Sequence, residues 1–211
     1  MIKHNTLAVI LTGGQSSRMG RNKAELVSPL HNKTMLDVCH HLFTQAGFSN
    51  ITESHSFNTH QAHGQLADQF NNIGPLGGIA TIFNHYPQAT GYVFLPVDLP
   101  LISAQLISQL KREGELTGKA CYLGQHYLPL YLPRNGYSEL YFDKLTRQHG
   151  HVKQAHSSKQ NGFSIRALLE HVPSQSLALD QRQEQQLFNC NTPEQWHQAT
   201  LTLSKRELGY E

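Results

Sequence analysis

An α/β fold with a mostly parallel central sheet is the architecture this 211-residue chain predicts. Three observations predict it. Residues 6–11 ("TLAVIL") form an almost continuous apolar run rich in β-branched side chains, and residues 92–95 ("YVFL") form another. Runs of this kind are strands buried on both faces, as in parallel sheets. Segments with apolar residues at helical spacing stand between and after them, and strands alternating with helices imply parallel pairing.

Taken in order, the first strand stops at Gly13-Gly14 and runs into "LTGGQSSRMGRNK", residues 11–23. Residues 34–46 carry apolar side chains at 35, 36, 38, 39, 42, 43 and 46. That is helical spacing, with Thr34 and Asp37 placed as a capping box and Gly47 as a stop. "IGPLGGIATIFNHY", residues 73–86, is a glycine-rich lead into a second helix. The strand at 92–95 ends at Pro96, and beyond Pro100 the hydroxyl of Ser103 caps a helix that runs through Lys111. "ACYLG" and "LPLYL" are strands around a tight turn at Gly124, and residues 137–149 and 164–171 are helical. Thr192-Pro193-Glu194-Gln195 starts a last helix, reaching about 203, with a Thr cap, Pro in the first turn and Gln three residues on. Residues 150–162 ("GHVKQAHSSKQNG") are polar and aperiodic and are expected to form a mobile loop. The length suits a single domain over 1–211.

Composition narrows the function. Lys and Arg number 17 against 15 Asp and Glu, for a net charge of +2. That balance excludes a general binder of nucleic acid or membrane surfaces, so any anion site must be local. Cys39, Cys121 and Cys190 are far apart and form neither a disulfide framework nor a zinc ribbon. The opening "MIKHNT" lacks a signal-peptide core, and no apolar run approaches the roughly 20 residues of a membrane helix. A cytoplasmic protein is expected.

Ligands of parallel α/β sheets sit beyond the carboxyl ends of the strands. Residues 11–23 and Asp98 both follow strands and so share that edge. The loop is neither a Walker loop, since Gly14 and Gly20 are six apart and Lys23 stands three beyond, nor a dinucleotide fingerprint. What remains is a longer run of backbone N–H donors with Ser16, Ser17, Arg18, Arg21 and Lys23 placed to meet phosphate oxygens. Asp98 is either a helix cap near Ser103 or a ligand for Mg²⁺, which binds one or two carboxylates plus phosphates. The pairs His149/His151 and His60/His63 lack a Cys or carboxylate at ligand spacing and read as solvated side chains. His40 and His41 belong to the polar and half-buried faces of the first helix, Cys190 is a small packed residue, and Trp196 fits the apolar face of the last helix.

Four motifs then resemble one family, in order along nearly the whole chain. "LTGGQSSRMGRNKAEL" resembles the nucleotidyltransferase signature L-x-G-G-x-S-x-R-M-G-x-x-K. "GPLGGI" resembles that superfamily's second glycine element and "LPVDLPLI" its metal aspartate. "FNCNTPEQW" is similar to the N-x-N-T-P-E of the molybdenum cofactor guanylyltransferases. The resemblance implies a Rossmann-like three-layer nucleotidyltransferase fold, with a nucleotide-binding half over about 1–100 and an acceptor-binding half over about 101–211. It implies attack of the terminal phosphate of Mo-molybdopterin on the α-phosphate of GTP, with loss of pyrophosphate and Mg²⁺ as the cofactor. Leu11, Thr12, Gly13, Gly14 and Asp68 would contact the nucleotide. Lys23 would hold its phosphates, and Lys23 with Arg18 would stabilise departing pyrophosphate. Asp98 would hold the metal. Gly77, Gly78, Asn189 and Asn191 would serve the pterin. Delivery or insertion proteins and apo-molybdoenzymes are the implied protein partners.

Thr12 departs from the family's usual small residue, which is harmless if only its backbone is used. Phe163 and Ser164 stand near where the family carries a basic residue, leaving either Arg166 or Lys159 as a substitute or a different mode of acceptor binding. A further nucleotide contact is expected near "ITESHSFN". Guanine and cytosine stay open as the base, because base selection can rest on backbone groups. The rival readings are a cytidylyltransferase for the same pterin, a transferase with a sugar or polyol phosphate acceptor, and a non-catalytic cofactor-delivery protein. Lys23 and Asp98 together argue against the last. Because the phosphate loop and the asparagines lie at opposite ends of the chain, Asn189→Ala and Asn191→Ala are expected to weaken the acceptor and spare the nucleotide.

Overall fold

The computed structural model describes residues 5–12, 23–28, 33–55, 66–67, 70, 73–151 and 163–207. Strand β1 (Thr6–Leu11) is buried along its whole length. A 3-10 turn (Lys23–Glu25) and a small antiparallel pair, β2 (Val27–Ser28) and β3 (Lys33–Thr34), lead into α1 (Met35–Gln45). Then come β4 (Ile51–His55), β5 (Leu66–Ala67), α2 (Pro75–His85), β6 (Gly91–Pro96) and α3 (Ala104–Thr117). The second half supplies β7 (Ala120–Leu123), β8 (His126–Pro133), α4 (Gly136–His151), α5 (Ile165–His171), β9 (Ser174–Leu177), α6 (Gln181–Gln186) and α7 (Pro193–Glu207).

Seven strands make one sheet in the order β5-β4-β1-β6-β8-β7-β9. Its pairs are parallel except those of β8, which runs against β6 and β7. The mostly parallel sheet expected from the buried runs is therefore present, with one reversed strand. That reversal follows from the hairpin at Gly124, whose φ of 54° suits a residue without Cβ.

The period-2 alternation of the strands sorts the core into two layers. Leu7, Val9 and Leu11 of β1 and Tyr92 and Phe94 of β6 pack on α2, α4 and α5. Ala8, Ile10, Val93 and Leu95 face the other way, against Cys39 and Phe43 of α1 and Leu106, Ile107 and Leu110 of α3. A third cluster, Leu101, Cys190, Ala199 and Leu203 with Trp196 against it, docks α7 beside the segment after β6.

Caps expected from sequence are made. Thr34 Oγ1 accepts from the Asp37 N–H while an Asp37 oxygen accepts from the Thr34 N–H, both at 3.2 Å. The Ser103 hydroxyl accepts from the Leu106 N–H and the Thr192 hydroxyl from the Gln195 N–H. Several boundaries differ. Helix α3 continues past Lys111 to a left-handed Gly118, α7 continues past 203, and α4 continues to His151, so the loop expected from 150 begins as helix. Residues 152–162 lie outside the described residues. Strands β4 and β9 and helix α6 were not expected. Their sequences ("ITESH", "SQSL", "QRQEQQ") are polar, because β4 turns Glu53 onto His40 of α1 and β9 is an edge strand.

Candidate active site

The carboxyl ends of β1 and β6 lie side by side, Leu11 being the register partner of Pro96. The Val97 N–H donates to the Leu11 carbonyl at 3.3 Å, which fixes the start of the segment carrying Asp98. Thr12 is drawn toward β4 instead. Its N–H and its hydroxyl both donate to the Ser54 carbonyl, at 3.0 and 2.9 Å. The extra hydroxyl of Thr12 is thus accommodated by the neighbouring strand. Gly13, Gly14, Arg18, Arg21 and Asp68 lie outside the described residues, as do Lys159, His60 and His63.

Lys23 opens the 3-10 turn, which seats Ala24 in the core and leaves the lysine side chain 16% exposed. Its ammonium donates to Asp98 Oδ2 at 3.0 Å, with Asp98 17% exposed. Asp98 therefore does not cap the helix after it; Ser103 does. The second carboxylate oxygen, Oδ1, is buried and has no hydrogen-bond partner among the described residues. Such an atom carries the desolvation cost of a charged acceptor without compensation, and a cation would supply it.

The segment between α6 and α7 closes the site. Cys190 donates its N–H to the Asp98 carbonyl at 2.9 Å. Asn191 Oδ1 accepts from the Lys23 ammonium at 2.6 Å, and Asn191 Nδ2 donates to Asn189 Oδ1 at 2.7 Å. Gln195, expected only as a helix-start residue, also accepts from the Asn191 and Thr192 N–H groups, at 2.7 and 3.1 Å. The two asparagine amides do meet on one side, as an extended segment requires. The expected separation of these asparagines from Lys23 is not found: Lys23 and Asn191 are 168 positions apart in sequence yet in direct contact. Asn189 also lines an open groove of about 1060 Å³ beside α6 and α7, with Leu101, Phe188, Gln195 and Gln198.

Gly77 and Gly78 are buried in the first turns of α2, where the Gly77 carbonyl accepts from the Thr81 hydroxyl. Phe163 packs against the core formed with α2, α4 and α5, and Arg166 is exposed and ion-paired with Glu170 at 3.0 Å. Burial, reinforced by the negative charge of Asp98, pushes the Cys39 thiol up to about 12. Burial and then Asp98 do the same to Cys190, against a smaller opposing pull from Lys23. Neither is a nucleophile at neutral pH. No cluster of three or more His, Cys, Asp or Glu suited to a metal occurs among the described residues.

Lys23 and Asp98 thus meet at the carboxyl edge of a mostly parallel sheet, the edge at which such folds bind their ligands. Residues 8–175 match the family model described as the MobA-like NTP transferase domain, and the chain belongs to that family of nucleotidyltransferases. It is 31% identical over 188 residues to a molybdenum cofactor guanylyltransferase of Xanthomonas euvesicatoria pv. vesicatoria, covering 89% of this chain and 90% of the relative. The molybdopterin-guanine dinucleotide biosynthesis protein A of Archaeoglobus fulgidus shares the fold, with a TM-score of 0.68, 19% identity, and 94% and 99% of the two chains covered. A manganese complex of a Mycobacterium tuberculosis H37Rv protein shares it at a TM-score of 0.55 and 18% identity, covering 94% and 99%. No helix among the described residues is long and apolar enough to cross a membrane.

Proposed function

We propose that the chain transfers GMP from GTP to Mo-molybdopterin, forming a molybdopterin guanine dinucleotide and releasing pyrophosphate. The observation that carries this reading is the meeting of Lys23 with both Asp98 and Asn191, at 3.0 and 2.6 Å. It brings the phosphate-side cation, the carboxylate and the acceptor-side segment to one point. An oxygen of the acceptor's terminal phosphate bonds to the α-phosphorus of GTP, and the bond from that phosphorus to the bridging oxygen of the β-phosphate breaks. The reaction asks for alignment and charge neutralisation rather than a covalent nucleophile.

Lys23 uses two of its three N–H donors on Asp98 and Asn191, and the third points the charge at a phosphate oxygen. Arg18 and the backbone of Gly13 and Gly14 complete the phosphate cradle. Leu11, Thr12 and Asp68 contact the nucleotide, and Gly77, Gly78, Asn189 and Asn191 serve the acceptor, whose body has room in the groove beside α6 and α7. The buried, unpartnered Oδ1 of Asp98 suits a hard divalent cation. One or two carboxylates with substrate phosphates and waters commonly suffice for Mg²⁺, and the manganese complex of the structural neighbour supports a divalent ion in this reading. Asp98 would hold such an ion, whose charge would offset that of the nucleotide's phosphates. The chain works as one cytoplasmic domain with nucleotide and acceptor halves, and hands its product to insertion proteins or apo-molybdoenzymes.

The test is a product assay with Mo-molybdopterin, Mg²⁺ and each nucleoside triphosphate. GTP should give the dinucleotide and stoichiometric pyrophosphate. Faster incorporation of CTP would replace guanine with cytosine in this reading.

A further inference from the structure

The contact between Lys23 and Asn191 assigns Asn191 a role on the nucleotide side of the reaction. We infer that Asn191 is a positioning residue that holds the Lys23 ammonium beside Asp98, so that the acceptor-side segment sets where the phosphate-binding charge stands. The inference rests on the nucleotidyltransferase reading and deepens it.

Chemistry fixes the orientation of the amide. An ammonium only donates, so the Asn191 atom 2.6 Å from Lys23 Nζ must be the amide oxygen. The nitrogen is then left for Asn189, whose oxygen accepts from it at 2.7 Å. The amide is thus held at both ends. Its backbone is held as well, by the Asn191 N–H on Gln195 Oε1 and, one residue earlier, by the Cys190 N–H on the Asp98 carbonyl. The segment is tied to the same residue whose side chain receives the lysine. Lysine is a flexible side chain that loses much rotamer freedom when fixed. Two acceptors on either side of Nζ remove that freedom before any phosphate arrives, and such pre-organisation raises affinity.

Asn189 extends the chain of contacts to the wall of the groove. Asp98, Lys23, Asn191 and Asn189 therefore form one continuous hydrogen-bonded line from the metal-type carboxylate to the acceptor side. A ligand that takes the Asn189 amide changes the support of Asn191, and through it Lys23.

A double-mutant cycle read by calorimetric affinity separates this role from a purely acceptor-side or structural one. Asn191→Ala should weaken Mg·GTP by about tenfold, the scale of one hydrogen bond to a charged group. The exposed Asn189→Ala should weaken it less, with the melting temperature unchanged. In a Lys23→Ala background neither substitution should change nucleotide affinity by more than about twofold, because the residue they act through is gone. Running the cycle with both Mg·GTP and Mg·CTP keeps the coupling readable if the base assigned above is revised. Wild-type nucleotide affinity in both asparagine variants, or full additivity with Lys23→Ala, would overturn the inference.

Discussion

The proposed chemistry turns on two residues, Lys23 and Asp98, and both were visible in the sequence for the same physical reason. A charged side chain in the segment that leaves a buried strand has no core to enter, so it belongs at the ligand edge. Their mutual contact at 3.0 Å was not visible, since nothing in local spacing relates positions 75 apart. The contact of Lys23 with Asn191 was still less so. Lys23→Ala removes the cation that would meet departing pyrophosphate, and Asp98→Ala removes the buried carboxylate oxygen that has no partner among the described residues. Each should lower turnover by about a hundredfold or more, the scale of one lost charge-stabilising group. Circular dichroism of both variants should be native. A folded Asp98→Ala enzyme with near-wild-type turnover would remove the carboxylate from the mechanism.

At the scale of elements, legibility followed burial. Strands β1 and β6 announced themselves because both faces are apolar, as their alternating partition between two core layers explains. Strands β4 and β9 did not, because β4 exposes polar side chains to α1 and β9 needs only β7 as its partner. Helix α3 carries a glycine, Gly114, in its interior, which a sequence reading treats as a weakness. The packing gives the reason. A Cβ on Gly114 would stand 2.0 Å from Tyr131 Cδ1, so α3 approaches β8 only without it. Gly114→Ala would gain roughly 1 kcal/mol in helix propensity. Overpacking against a buried ring typically costs 1–3 kcal/mol, and a contact this short belongs at or beyond the upper end. The net effect should be a lower urea midpoint. In a Tyr131→Ala background Gly114→Ala should no longer lower the midpoint, because the Cγ, Cδ1 and Cε1 atoms that the new methyl would meet are gone. A higher midpoint for Gly114→Ala alone would show that α3 can move away from β8.

Across the whole molecule, one sheet joins segments from both halves of the sequence, and its carboxyl edge gathers the groups of the proposed site. Strands β1 and β6 deliver Leu11 and Asp98, while the return of the chain after α6 lays Cys190 and Asn191 on Asp98. The strand order was not legible, because placing β8 between β6 and β7 depends on pairing rather than on any local pattern. In the proposed reaction a divalent cation and a nucleoside triphosphate meet at Asp98, which has Lys23 on one oxygen and no partner among the described residues on the other. A ligand that binds only the native state raises its melting temperature by mass action, so that temperature reports the meeting directly. The measurement is the melting temperature of wild type and Asp98→Ala with Mg²⁺ alone, GTP alone and both together. Wild type should rise more with both than the two separate shifts add to, and Asp98→Ala should lose that excess while keeping a GTP shift. An equal excess in Asp98→Ala would contradict the account.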